Sequence, residues 1–252
     1  MLDWSLDPSV DVGILGVAAA YGWLAHARLD RPWRVACMGA GLIAVWLALE
    51  SPLDALADDA LLSAHMVQHL VLGMVAPGLM LLGLSPSMAG WLLRWVPGLR
   101  AFTAPMPAMV VMPTVMIAWH TPTLLGMALE SEPLHVLQHL SLAGSGFLFW
   151  WPVMEATTGQ STLRLDARGR LGYLLMMGVP LGVVGLPLLL APEPVYAFYR
   201  AAPHLAGWWT PLADQRLAGG LLLGLGGGIV ALAAVRFRPR GQVRREGMAP
   251  GT

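Results

Sequence analysis

The sequence predicts an all-α integral membrane bundle of seven transmembrane helices, with the N-terminus outside and the C-terminus cytoplasmic. Three observations predict it. Apolar residues make up 56% of the 252-residue chain and charged residues 12%, with a mean hydropathy of +0.63. A soluble domain carries about a quarter charged residues. Seven apolar runs approach the length of about 20 residues that crosses a bilayer. Arginines, finally, collect in alternate connections between those runs, as the positive-inside rule requires. The formal net charge is zero and no basic tract is present, so nucleic acid is excluded as a partner and the lipid bilayer is the expected one.

The spans read in order as roughly 12–27, 33–49, 60–84, 102–120, 133–154, 171–192 and 216–235, one seven-helix domain over residues 1–252. Asp3, Asp7 and Asp11 precede or open the first run without any Arg, the reverse of a signal peptide's basic start. The second run holds Cys37, whose solitude rules out an intramolecular disulfide and a CxxC metal motif. The fourth contains Pro105, Pro107 and Pro113, which predict a kink or a late start. In the seventh, Gly220, Gly224 and Gly228 form a small-residue stripe that predicts close packing against a neighbouring helix.

Direction follows from charge. All fifteen basic residues are arginine. Arg28, Arg31, Arg34, Arg94, Arg100, Arg164, Arg168, Arg170 and the five from Arg236 to Arg245 fall on one side, against Arg200 and Arg216 on the other. Trp33, Trp119, Trp150 and Trp151 near span ends predict an interfacial belt. The longest outer loop, Ala191 to Asp214, is rich in Pro and aromatics and is predicted to fold over the outer face.

Two segments nearly repeat: His65-Met66-Val67-Gln68-His69-Leu70 and His135-Val136-Leu137-Gln138-His139-Leu140. Each places two imidazoles four apart, on one helix face. Both pairs lie at the outer ends of spans that run in the same direction. Intramembrane polar residues are costly and mark function by default. Neutral imidazole binds copper, zinc and iron, so two pairs predict a four-nitrogen site or two stacked sites. His120, beside Trp119, closes the fourth span and is a candidate fifth ligand or an interfacial cap; His204 reads as a loop residue and His26 as interfacial. Gln68 and Gln138 are predicted to hydrogen-bond a neighbouring imidazole or helix and support the site. Met66 lies between the first two histidines in sequence but on another face. Asp58 and Asp59 read as loop solvation that attracts cations. A structural reading, in which each histidine is a hydrogen-bonded packing residue, competes with the metal reading. Phosphate loops, a GxSxG elbow, buried carboxylates and inverted half-helices are not evident, which argues against nucleotide, hydrolase, proton-coupled and transporter chemistry.

These residues resemble the CtaG family, integral-membrane assembly factors for haem-copper cytochrome c oxidases. The resemblance is carried by Ser51-Pro52-Leu53-Asp54, the first histidine segment with Ala76-Pro77 and Leu82-Gly83, Trp119-His120-Thr121-Pro122, the second histidine segment with Phe149-Trp150-Trp151-Pro152, and Asp214-Gln215 with Ala218-Gly219. It spans about residues 45–220. It implies a seven-helix fold in a bacterial inner membrane and a role in oxidase maturation. On this likeness His65, His69, His135 and His139 handle copper at the outer face. His120 and Asp214 belong to the same cavity. Oxidase subunits and a periplasmic copper donor are the implied partners. A single-span copper protein of the same name works through a cysteine pair, which this chain lacks.

Three functions are therefore weighed: a copper-binding assembly factor, a membrane protein binding haem b with one histidine ligand from each of two helices, and a scaffold that holds oxidase subunits without metal. None requires turnover, so no enzyme is expected.

Overall fold

The computed structural model describes residue 4 and residues 6–154, 165–202 and 209–237. Among these residues every regular element is helical and no strand occurs. Arg164, His204 and the arginines from Arg238 onward lie outside the described residues.

Local sequence explains where five of the twelve described helices begin. Asp7-Pro8, Ser51-Pro52, Ser85-Pro86, Thr121-Pro122 and Thr210-Pro211 each supply a side-chain N-cap followed by a proline in the first turn. Proline costs nothing there, because its missing N–H would be unpaired anyway. The elements are α1 (Pro8–Arg28), α2 (Trp33–Glu50), α3 (Pro52–Asp59), α4 (Leu62–Gly83), α5 (Pro86–Trp95), α6 (Leu99–Phe102), α7 (Pro105–Trp119), α8 (Pro122–Leu129), α9 (Glu132–Trp150), α10 (Ala167–Leu190), α11 (Ala197–Ala201) and α12, which starts at Pro211 and runs to Phe237.

Among the described residues, five helices are long and apolar enough to cross a membrane: α1, α2, α4, α10 and α12. A sixth is added if α7 and α8, bent by 71° at His120-Thr121, count as one broken span. The 19-residue α9 is not among them. His135, Gln138, His139, Ser141 and Ser145 interrupt its apolar run. The predicted fourth span starts at Pro105 rather than 102, and the fifth ends at Trp150 rather than 154.

Helix α4 is the axis of the molecule. In its apolar stretch 72% of residues are buried, against 6% in α1. It packs against α2, α3, α9 and the first half of α12. Midway, Val71–Val75 form a π turn. Pro77 explains it: a proline clashes with the carbonyl four residues back, here Gly73, and cannot donate to it. Widening the turn relieves both problems and leaves Met74 with a carbonyl that accepts the Trp150 indole N–H at 2.8 Å.

That bond corrects one expectation. Trp150 and Trp151 are each only 3% exposed, in the core rather than in an interfacial belt. The glycine stripe is also corrected. A Cβ on Gly220, Gly224 or Gly228 would meet nothing within 4 Å, so that stripe makes no close helix contact, and Gly224 and Gly228 instead border an open groove beside Val67 and Val71 of α4. The glycines that do permit close packing are Gly219, where a Cβ would lie 2.6 Å from the Gly185 carbonyl, and Gly226, where it would lie 2.8 Å from the Leu181 side chain. On the other side of α4, Gly146 of α9 lies on the Gly73 carbonyl so tightly that a Cβ would overlap it.

At the end of α4 remote from its histidines, Arg34 donates to the Asp30 carboxylate at 2.7 Å and to the carbonyls of Leu82, at 3.0 Å, and Leu84. A cation there satisfies C-terminal carbonyls and the helix dipole together.

Candidate metal centre

The two histidine pairs converge. His65 and His69 lie in the first turns of α4, and His135 and His139 at the matching level of α9. Ring centroids are 4.1 Å apart for His65–His69, 4.2 Å for His135–His139, 5.6 Å for the near-parallel His65–His135 and 5.5 Å for His69–His139. His120, capping α7, joins them at 5.1 Å from His69. His65 is fully buried, and His69, His120 and His135 are at most 7% exposed.

Hydrogen-bond chemistry settles part of the proton arrangement. His120 Nδ1 lies 2.6 Å from the Met116 carbonyl, which can only accept, so Nδ1 carries the hydrogen. Neutral His120 then accepts at Nε2 from His69 Nδ1–H, 3.2 Å away. The lone pair of His69 is left on Nε2, which is buried and has no partner. His120 thus orients His69, as hydrogen-bond partners of metal-binding imidazoles do. His135 Nε2, His139 Nε2 and both nitrogens of His65 likewise lack a hydrogen-bond partner. The Ala57 carbonyl lies near His65 but outside hydrogen-bond geometry, and it accepts the Tyr199 hydroxyl at 2.6 Å. Buried polar atoms are almost always satisfied. Four adjacent imidazoles with partnerless nitrogens are a donor set whose chemistry fits a metal ion.

Sequence reasoning underrated Asp58. It lies in the last turn of α3, a helix the hydropathy pattern did not reveal, and its carboxylate lies 3.5 Å from His135 Nδ1. Burial, reinforced by the neighbouring carboxylates of Asp54, Asp59 and Glu132, pushes its carboxyl up to about 8. The described part of the loop after α10 folds over the cluster: Tyr196 donates to the His120 carbonyl at 2.7 Å and Tyr199 to that of Ala57. Burial raises both phenols, so they remain neutral donors. Neither tyrosine carried a sequence signal beyond loop composition. Below His69 and His120, Met74, Met112 and Met116 line a small crevice with Leu142 and Leu222. Only their helical register brings those thioethers together.

Other predicted residues hold the site indirectly. Gln68 donates to the Ala48 carbonyl at 3.0 Å and to Asp54 at 2.7 Å, tying α4 to α2 and α3. It bonds a neighbouring helix, not an imidazole. Gln138, fully buried, makes no side-chain hydrogen bond, so its expected support of an imidazole is not present. Met66 is fully buried in the apolar core, off the histidine face. Trp119 donates to Ser141 at 2.7 Å and links α7 to α9. Asp214 sits at the start of α4, accepting from the Ser63 hydroxyl and, at 3.3 Å, from the Ser63 N–H. Gln215 next to it accepts from Val195 N–H at 2.6 Å and pins the outer loop.

The orphaned Gln138 amide gives a first expected result. Gln138→Met removes two unsatisfied buried groups at nearly constant volume. Thermal unfolding in detergent should be unchanged or stabilised by about 1–2 kcal/mol. A loss of more than about 1 kcal/mol would reveal a partner for the amide.

Fold and site together define a class: an all-α protein of apolar, membrane-type helices built around a buried imidazole cluster. The family described as cytochrome c oxidase caa3 assembly factor (Caa3_CtaG) matches residues 18–238, and the chain belongs to that family. No curated protein and no solved structure matches it. The family match covers the predicted 45–220 region and extends beyond both its ends.

Proposed function

We propose that this assembly factor binds copper at the imidazole cluster of His65, His69, His135 and His139 and delivers it to the oxidase during maturation. The observation that carries the reading is the set of buried, partnerless ring nitrogens on α4 and α9. Four nitrogens suit borderline ions, and the nearby Met74, Met112 and Met116 favour copper over zinc, because thioethers are soft ligands. Metal–nitrogen bonds of about 2 Å would draw the rings slightly together. His120 acts through His69 rather than on the ion.

In this reading α1, α2, α4, α7 with α8, α9, α10 and α12 all traverse the bacterial inner membrane. The cluster lies at the outer face, where a periplasmic donor can load it and an oxidase subunit can receive from it. The arginine distribution supports that orientation. The chain then acts as a copper chaperone, by binding and release, not as an enzyme.

Element-resolved metal analysis of the detergent-purified protein, with its visible spectrum, tests the proposal. One to two copper ions per chain, removable by chelator, and no Soret band are expected. A Soret band would instead support haem b, although the rings pack edge against face with little space for a macrocycle between them. Absence of both would leave the scaffold reading.

A further inference from the structure

We propose that Asp58, His65 and His135 form an outer position for a divalent cation, distinct from an inner position built on His69 and His139. The inference rests on the copper reading above and adds to it a ligand, Asp58, and an order of sites.

The geometry is that of three donors from three elements. One ligand atom from each of Asp58, His65 and His135 lies within 4.8 Å of the other two. Asp58 comes from the end of α3, His65 from α4 and His135 from α9. His65 is fully exposed to neither water nor lipid, being 0% accessible, and both its nitrogens lack partners. It stands between two sets of neighbours: His135, parallel to it at 5.6 Å, and His69 at 4.1 Å with His139 at 6.4 Å. With one lone pair it serves one ion at a time, so His65 can join either the outer set with Asp58 and His135 or the inner set with His69 and His139, but not both at once.

The donor chemistry separates the two positions. A carboxylate with two imidazoles suits a divalent ion and supplies charge compensation. The inner position has imidazoles, with thioethers close below, and suits a softer monovalent ion. Asp58 is half-buried, whereas His65 and His69 are buried, so the carboxylate is the member that an arriving cation meets first.

Full-length protein in detergent, titrated separately with Cu(II) and with Cu(I), tests this. Affinities are read by competition with chelators and Cu(II) ligation by electron paramagnetic resonance. Asp58→Asn should weaken Cu(II) binding about tenfold or more and alter the Cu(II) spectrum, while Cu(I) affinity stays within about twofold. The retained Cu(I) site also reports that this variant is folded. His69→Ala with His139→Ala should do the reverse, losing Cu(I) and keeping Cu(II). The proposal is overturned if Asp58→Asn leaves the Cu(II) spectrum unchanged, since Asp58 would then only orient His135. It is also overturned if each variant weakens both ions alike, since there would then be one position. Wild-type protein that binds Cu(I) but no Cu(II) removes the outer position and leaves the inner copper site standing. Conversely, Cu(II) bound through Asp58 without any Cu(I) binding supports the outer position and removes the copper-delivery reading of the inner one.

Discussion

Replacing His69 and His139 together by alanine is expected to reduce Cu(I) binding by at least about a hundredfold and oxidase activity to the level of a strain lacking the protein. Hydrogen-bond partners of metal ligands alone typically cost about 10–100-fold when removed, and these two residues offer the donor atoms themselves. Folding should survive. Each ring contributes a buried nitrogen without a partner, so its removal relieves a desolvation cost that offsets part of the cavity left behind. Copper content of the purified variant and complementation of oxidase activity check the two halves of the result. Normal oxidase activity with copper absent would mean that the protein holds its partner without carrying the ion. His120→Ala should give the milder outcome, about 10–100-fold weaker copper binding, because it acts only by fixing the His69 tautomer.

The second large effect lies below the site. Gly146→Ala should destabilise the protein by about 3 kcal/mol and scatter the histidines. The added methyl would overlap the carbonyl of Gly73, and the Pro77 ring stands 3.0 Å away on the same side. Neither neighbour is a flexible side-chain end. The only relief is separation of α4 from α9, the two helices that carry the histidine pairs, and overpacking of this kind costs about 1–3 kcal/mol or more. Gly144→Ala is the matched control. It lies one half-turn away on the same helix, a Cβ there meets nothing within 4 Å, and alanine is the better helix former. Thermal unfolding of both variants in detergent, with copper content measured in parallel, decides the comparison. Equal melting temperatures would show that α4 and α9 approach less closely than described.

Much of this architecture was legible from residue types alone. The apolar runs predicted the long helices because a bilayer-length helix must be apolar over most of its length. The histidine repeats announced a site because four-residue spacing is a property of the helix itself. Features that depend on neighbours were not legible. The glycine stripe at 220, 224 and 228 has the right period for packing, yet nothing approaches it closely, while Gly219 and Gly226 make the contacts. Trp150 sits at a span end as a belt residue would, but the π turn opposite it offers a carbonyl in the core.

The sequence by itself determined that apolar helices dominate, that two of them carry paired imidazoles at one level, and that Arg-rich connections alternate with Arg-poor ones. Those are consequences of composition and helical period, both local quantities. Only the tertiary structure decided which side chains share a space. It brought His120 to His69 across a chain separation of 51 residues and Asp58 to His135 at 3.5 Å, and it gathered three methionines beneath them. Contact between distant segments depends on how helix surfaces interlock, here through Gly73 and Gly146, and no periodicity within one segment records the shape of another.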